Sequence, residues 1–313
     1  MILVTGSSGF VGQSLTKELL ITGYDVRGVA RTRNESLAES SFDFVPIEDF
    51  SKILDWQGML EGVKVIVHTI ARVHIMDDKV ENPLDAFRQL NVHATLNLAK
   101  QAAVNGVKRF IFISSIKANG EATSAGKPFL ETNNTIPTDP YGLSKFEAEQ
   151  GLLEIAEQTN MEVVIIRPPL IYGPNVKANF ASMMKWVKIG VPLPFGAINN
   201  KRSLIALDNL VNFIMICIEH PKAANEIFLI SDGQAISTTE LIHKVAKAFG
   251  KKAILIPVSA KLMGRVATLV GKQAVADRLF GSLEVDSSKA RNLLDWQPII
   301  TMDEQLQKMA AVF

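Results

Sequence analysis

The segment DPYGLSK sets Tyr141 and Lys145 four residues apart, with Asp139 and Pro140 just ahead of them. Aspartate followed by proline is a helix-start signal, so the phenol and the ammonium are expected one turn apart on one helix face. A fixed cation a few ångströms away favours phenolate over phenol, which suits a side chain that ferries a proton. Taken alone, the pair fits a solvated helix face better than a reagent, and other residues must decide.

A second group of residues could hold a phosphate. TGSSGFVG supplies Gly6, Gly9 and Gly12 in the spacing GxxGxxG, directly after the first apolar run MILVT. Glycine lets the backbone turn tightly there, and a pyrophosphate can then approach the free N–H groups and positive dipole end of the following helix. About twenty residues further on, a chain selective for NAD usually carries an acid for the adenosine ribose hydroxyls. Arg31 occupies that place here, with Arg33 close behind. Guanidinium groups at this position suit a 2′-phosphate, which favours NADP, although a solvated loop and the use of either cofactor stay open. Asp49 and Phe50 close the third apolar run, where an adenine would lie.

These residues need a scaffold. MILVT, DVRGVA, DFVPI, VKVIVH, RFIFISS and EVVIIRP are short, β-branched-rich and apolar throughout, as strands buried on both faces must be. Between them GFVGQSLTKELLITG, NPLDAFRQLNVHATLNLAKQAAVNG and YGLSKFEAEQGLLEIAEQTN show helical spacing. The alternation predicts an α/β fold: a doubly wound parallel Rossmann sheet over residues 1–168, with a smaller substrate-binding lobe over 169–313. Segments within about 204–231, including the strand-like EIFLIS, are expected to return to the first domain. After Arg167 the texture turns Pro- and Gly-rich, and Ser237 to Glu240 and Thr301 to Glu304 are each spaced as capping boxes.

TGSSGFVG, HTIA ending at Ala71, SSIKANG at 114–120, YGLSK at 141–145 and RPPLIYGP at 167–174 together resemble the extended short-chain dehydrogenases, in particular the nucleotide-sugar epimerase/dehydratase group. The resemblance covers essentially the whole chain. It implies that Ser115 hydrogen-bonds the reacting sugar oxygen, Tyr141 passes its proton, and Lys145 holds the nicotinamide ribose and lowers the phenol's pKa. It places Phe10, Ala71, Asn91 and Pro168 with the glycines at the cofactor. Asn91 lies in NVHAT, where the family pattern has glycine at the position of Ala94. Ser114 is expected to be structural. The 4,6-dehydratases of the group carry an Asp-Glu pair after the catalytic threonine, and Ile116 and Lys117 stand there instead, which argues against dehydration. Lys117 either faces solvent or touches substrate. Asn179, Arg202 and Arg278 fall where similar enzymes hold the diphosphate of a nucleoside-diphosphate sugar, while Asp208 is expected to anchor a helix.

The leading expectation is therefore an NAD(P)-dependent enzyme acting at C4 of a nucleoside-diphosphate hexose, with UDP as the expected nucleotide. Arg31 and SSIKANGE favour a 4-keto-sugar reductase over a 4-epimerase with tightly bound NAD, and a non-catalytic dinucleotide sensor is the remote alternative. The resemblance further implies a homodimer built on helices within 82–105 and 140–159. The whole-chain charge of +1 suggests neither a nucleic-acid footprint nor a charged membrane surface. The five histidines lack metal spacing, so no metal is expected. The single cysteine, Cys217, sits in apolar FIMICIEH and reads as packing. An apolar strand starting at residue 2 and the lack of a membrane-length apolar run point to a cytoplasmic protein.

Overall fold

The apolar runs pair as strands because each can bury both faces under helices. The computed structural model describes residues 1–33, 42–52, 54–73, 82–124, 126–133, 135–269 and 279–313. Its main sheet contains β1 (Ile2–Thr5), β2 (Val26–Ala30), β3 (Phe42–Pro46), β4 (Val65–His68), β5 (Arg109–Ile113), β6 (Glu162–Arg167) and, further along the chain, β9 (Glu226–Leu229). The seven strands run parallel in the order β3-β2-β1-β4-β5-β6-β9. The order reverses between β1 and β4, and a crevice at the C-terminal ends of the strands opens at such a switch point.

Alternation along β1 divides the core. Ile2 and Val4 point to one layer with Leu15 and Leu19 of α1 (Phe10–Ile21) and Leu210, Phe213 and Ile214 of α7 (Leu207–Glu219). Leu3 points to the other, with Leu98 of α4 (Thr95–Val104) and Leu152 of α5 (Pro140–Gln158). Full burial of each such leucine contributes about 2 kcal/mol. The remaining amino-proximal helices are α2 (Gln57–Leu60) and α3 (Pro83–Arg88).

The stretch from 82 to 105 is not one regular helix. Between α3 and α4 the backbone widens into a π-helical turn over Gln89–Ala94. Apolar spacing cannot reveal such a turn, because one extra residue in the ladder leaves the buried face nearly continuous.

The rest of the chain forms a third cluster. Tyr172 of β7 (Leu170–Tyr172) packs with Phe180 and Met184 of α6 (Ala178–Ile189), with Leu204 of β8 (Leu204–Ala206), and with Ile242 and Val245 of α8 (Thr238–Ala248). β7 and β8 make a separate two-stranded parallel sheet. Both capping boxes form, at Ser237–Glu240 on α8 and Thr301–Glu304 on the terminal helix Met302–Val312. Asp208, in the first turn of α7, pairs with Lys308 at 2.7 Å, which makes it an anchor between helices. Cys217 is buried in the first core layer, and burial raises its thiol pKa.

Candidate active site

The glycine loop follows β1 and opens α1. Gly6 adopts φ +75°, a left-handed conformation that glycine alone takes without strain. A Cβ on Gly12 would stand 2.1 Å from the Gly6 carbonyl oxygen, so the first turn of α1 lies flush against the loop. That turn has no acidic residue and no side-chain cap, leaving its free N–H groups directed at whatever occupies the crevice. The cradle fits a pyrophosphate, with the loop glycines and Phe10 at its rim. Arg31 and Arg33 are exposed just beyond β2, beside the end of β3. Asp49 folds back onto Ser51, accepting its N–H at 2.9 Å and its hydroxyl at 2.6 Å, and the hydroxyl bond lowers the carboxyl pKa. Phe50 stacks on Trp56 with ring centres 6.4 Å apart. All four residues thus gather at one end of the crevice.

Ser115, Tyr141 and Lys145 gather at the other end. Ser115 leaves β5 in an extended conformation and caps the short 3-10 turn Ile116–Ala118, its hydroxyl oxygen accepting the Lys117 N–H at 3.2 Å. Ser115 also lies within hydrogen-bond reach of the Tyr141 hydroxyl. Asp139 caps α5 by accepting the Gly142 N–H at 2.9 Å, which fixes Tyr141 in the first turn. The Tyr141 ring meets Phe87 edge-on at 5.8 Å. Since β1 and β5 flank β4, the glycine loop and the Ser115 turn leave the sheet two strand spacings, about 10 Å, apart.

The electrostatics differ from the expectation that Lys145 acidifies the phenol. Burial pushes Tyr141 up to about 12; the Ser115 bond pulls the other way, and Asp139 adds to the rise. Lys145 is itself driven down to about 7 by burial, with Glu149 opposing the fall. Its ammonium donates to the Ile113 carbonyl at 2.8 Å and lies 4.2 Å over the Phe112 ring, directed at the sheet. A half-titrated lysine aimed at a backbone carbonyl cannot acidify a neighbour as a fixed cation would.

Lys117 and Asn91 both tie elements together. Lys117 pairs with Asp139 at 3.1 Å and Glu121 at 3.0 Å, fastening the Ser115 turn to the start of α5. Asn91, inside the π-helical turn, accepts the Arg72 N–H at 2.8 Å and donates to the Arg72 carbonyl at 3.1 Å and to Ser144 at 3.0 Å. Both its amide protons are spent on clamping the segment after Ala71 to α5. Pro168 is buried and its carbonyl accepts the Ile116 N–H at 2.9 Å, which holds the 3-10 turn against the end of β6.

Sequence reading missed Glu149 and Arg167. They form a buried pair, with Arg167 Nη2 2.5 Å from Glu149 Oε2; Ser114 donates to the same carboxylate and Arg167 Nη1 to Asn119 at 2.9 Å. The network locks β5, β6 and α5 together beneath the triad. The spacing from Lys145 to Glu149 signals a shared helix face, but nothing in the chain pairs Glu149 with a residue 18 positions away. On the lobe side Asn179 is exposed in the first turn of α6, next to Ala178 at φ +57°. Arg202 bridges to Ile236 and Leu283 and donates to the Gly281 carbonyl at 3.0 Å. Arg278 lies outside the described residues.

A profile of the NAD dependent epimerase/dehydratase family matches residues 2–231. The chain belongs to that family. It is 47% identical to UDP-glucose 4-epimerase of Vibrio cholerae over 100% of this chain and 95% of that protein. It is 24% identical to dTDP-4-dehydro-6-deoxyglucose reductase of Escherichia coli over 98% of this chain and 96% of the relative. Its fold is shared with UDP-glucuronic acid 4-epimerase from Bacillus cereus, solved in complex with NAD, at TM-score 0.80 and 22% identity over 99% and 97% of the two chains. The protein is an enzyme of this NAD-dependent family on the short-chain dehydrogenase fold. Among the described residues no helix is long and apolar enough to cross a membrane.

Proposed function

We propose that the protein is a UDP-hexose 4-epimerase, with UDP-glucose and UDP-galactose as the pair to test first. The observation that carries this reading is the 47% identity, across the whole chain, to a UDP-glucose 4-epimerase. The juxtaposition of Ser115, Tyr141 and Lys145 supports it. The bound dinucleotide supplies a hydride acceptor and donor at C4 of the sugar. As its phenolate, Tyr141 would take the C4 hydroxyl proton, with Ser115 hydrogen-bonded to the C4 oxygen. Once the 4-keto sugar had turned over and been reduced on its other face, Tyr141 would return the proton to the C4 oxygen. Gly6, Gly9, Phe10 and Gly12 would hold the pyrophosphate, Arg31, Arg33, Asp49 and Phe50 the adenosine end, and Lys145 the nicotinamide ribose. Asn179, Arg202 and Arg278 remain the proposed diphosphate contacts, and a homodimer through α3–α4 and α5 is proposed with them.

A second reading, 4-keto-sugar reductase, is favoured by two observations. Arg31 stands where a ribose-binding acid is usual, which suits exchange of NADPH. Tyr141, pushed up to about 12, is protonated near neutrality, the state needed to protonate a keto oxygen. The purified enzyme should be incubated with UDP-glucose, and separately with UDP-galactose, without added reductant, and followed by proton NMR. Approach to one common mixture from both sides is the expected result. No interconversion, together with stoichiometric NADPH or NADH consumption on a UDP-4-keto-6-deoxy-N-acetylhexosamine, would replace it with the reductase.

A further inference from the structure

The near-neutral charge of the chain conceals a polarised lobe. No aspartate or glutamate occurs between Glu162 and Asp208, nor between Glu240 and Asp277, whereas these two stretches carry thirteen lysines and arginines. The fold brings them together. Leu193 and Leu255 form a parallel bridge, with the Leu193 N–H on the Ile254 carbonyl at 2.9 Å and the Ile256 N–H on the Leu193 carbonyl at 2.8 Å. A second bridge joins Ala197 to Ser259, ahead of the helix Ala260–Leu269. Leu193 and Leu255 turn inward to the lobe's core. By strand alternation their neighbours turn outward. Ile254 is 53% exposed and Ile256 49%, beside exposed Pro192 and Pro194.

Exposed apolar side chains also occur on α6 and on the helix that follows the second bridge. Trp186 is 46% exposed and Ile189 63%, one turn apart on α6; the Trp186 carbonyl accepts the Val191 N–H, which ties that helix to the bridged segment. Leu262 is 54% exposed on the next helix. Cations flank these side chains: Lys185 and Lys188 on α6, and Lys251 and Lys252 just ahead of Ile254, with Lys251 donating to the Lys188 carbonyl. Lys244 and Lys247 are engaged by Asp303 from the terminal helix and lie apart from this group.

We propose that this face docks the enzyme on an anionic lipid bilayer. Large apolar side chains interspersed with lysines, on two stretches without aspartate or glutamate, match the boundary between acyl chains and acidic headgroups, where rings and branched chains enter and ammonium groups stay outside. A second copy of the chain fits less well, because a two-fold contact would bring the lysines of both copies together. A nucleotide substrate needs only a few of the cations and none of the exposed apolar side chains.

The full chain should be sedimented with extruded vesicles of phosphatidylglycerol and phosphatidylethanolamine, and in parallel with pure phosphatidylcholine, at low ionic strength. The expected partition onto the anionic vesicles exceeds that onto phosphatidylcholine by about tenfold and falls as salt is added. Trp186 reports the contact directly, because Trp56 and Trp296 are 3% and 1% exposed and the emission shift on docking comes from Trp186. Ile254→Ser with Ile256→Ser, and separately Lys251→Glu with Lys252→Glu, should each lower the partition about tenfold with thermal melting and sugar-nucleotide turnover in solution unchanged. Equal sedimentation with both vesicle types would overturn the proposal, as would anionic binding that neither double variant weakens. A vesicle-independent dimer that the isoleucine variant dissolves, without vesicle binding, would make the face a contact between copies instead.

Discussion

Burial acts on Tyr141 and Lys145 in one sense, pushing each towards its neutral form: the phenol up to about 12 and the ammonium down to about 7. The pair is therefore poised for proton transfer without a permanent charge in the crevice. Tyr141→Phe removes the transferable proton and keeps the ring against Phe87, so turnover should fall roughly 100-fold or more while cofactor affinity stays within about twofold. Parallel losses of both in steady-state kinetics and cofactor titration would instead assign Tyr141 to cofactor binding. Lys145 has a signature in stability. Between about 7 and its ordinary 10.5 the folded chain binds fewer protons at this site than the unfolded chain. Stability contributed by the site therefore rises with pH across that window, the cost of burying the charge being complete below 7 and gone above 10.5. Urea unfolding at pH 7 and roughly pH 9 should show wild type gaining on Lys145→Met as pH rises. A pH-independent difference would mean that the lysine is not depressed.

At the scale of elements, close approach at one glycine aligns the triad. A Cβ on Gly142 would lie 2.5 Å from the Lys117 carbonyl oxygen, so the start of α5 passes directly over the turn that carries Ser115. Gly142→Ala must part the two elements. It should lower kcat at least tenfold through the lost Ser115–Tyr141 alignment while costing only about 1–3 kcal/mol of stability, the usual range for overpacking. An alanine variant with unaltered kcat would show that the alignment tolerates the shift. Lys117 and Asn91 belong to the same scale. Both join elements, one holding the Ser115 turn to α5 and the other the segment after β4.

In the whole molecule, Arg109 couples the sheet to the layer that leads into the lobe. Its guanidinium reaches from the start of β5 to the carbonyls of Cys217, Ile218 and His220 at 2.7, 3.0 and 3.1 Å, closing the end of α7, and pairs with Glu162. Arg109→Met keeps the stem and loses those bonds, so stability should drop by roughly 2–3 kcal/mol. The check is a lower denaturant midpoint with unchanged slope; a smaller slope would mean that the two parts no longer unfold together. The charge asymmetry of the lobe belongs to this scale too, because summing acids and bases over the chain erases it.

Local chemistry made much of this protein legible in the chain. Buried parallel strands must be apolar throughout, a phosphate cradle needs Gly6 and Gly12, and Asp139-Pro140 starts a helix, so sheet, glycine loop and the helix of Tyr141 could be read from short stretches. EIFLIS likewise reads as a strand, and it pairs with β6 as the seventh of the sheet. What depends on residues far apart was decided only by the tertiary structure. Glu149 meets Arg167 because β6 lies under α5, Asn91 meets Arg72 because a π-helical turn rotates it there, and the exposed isoleucines share a face because residue 193 bridges to 255. The direction of the Tyr141 and Lys145 shifts was decided there too. Helical spacing sets the two groups one turn apart, but the desolvation that shifts both arises from the packed layers around them.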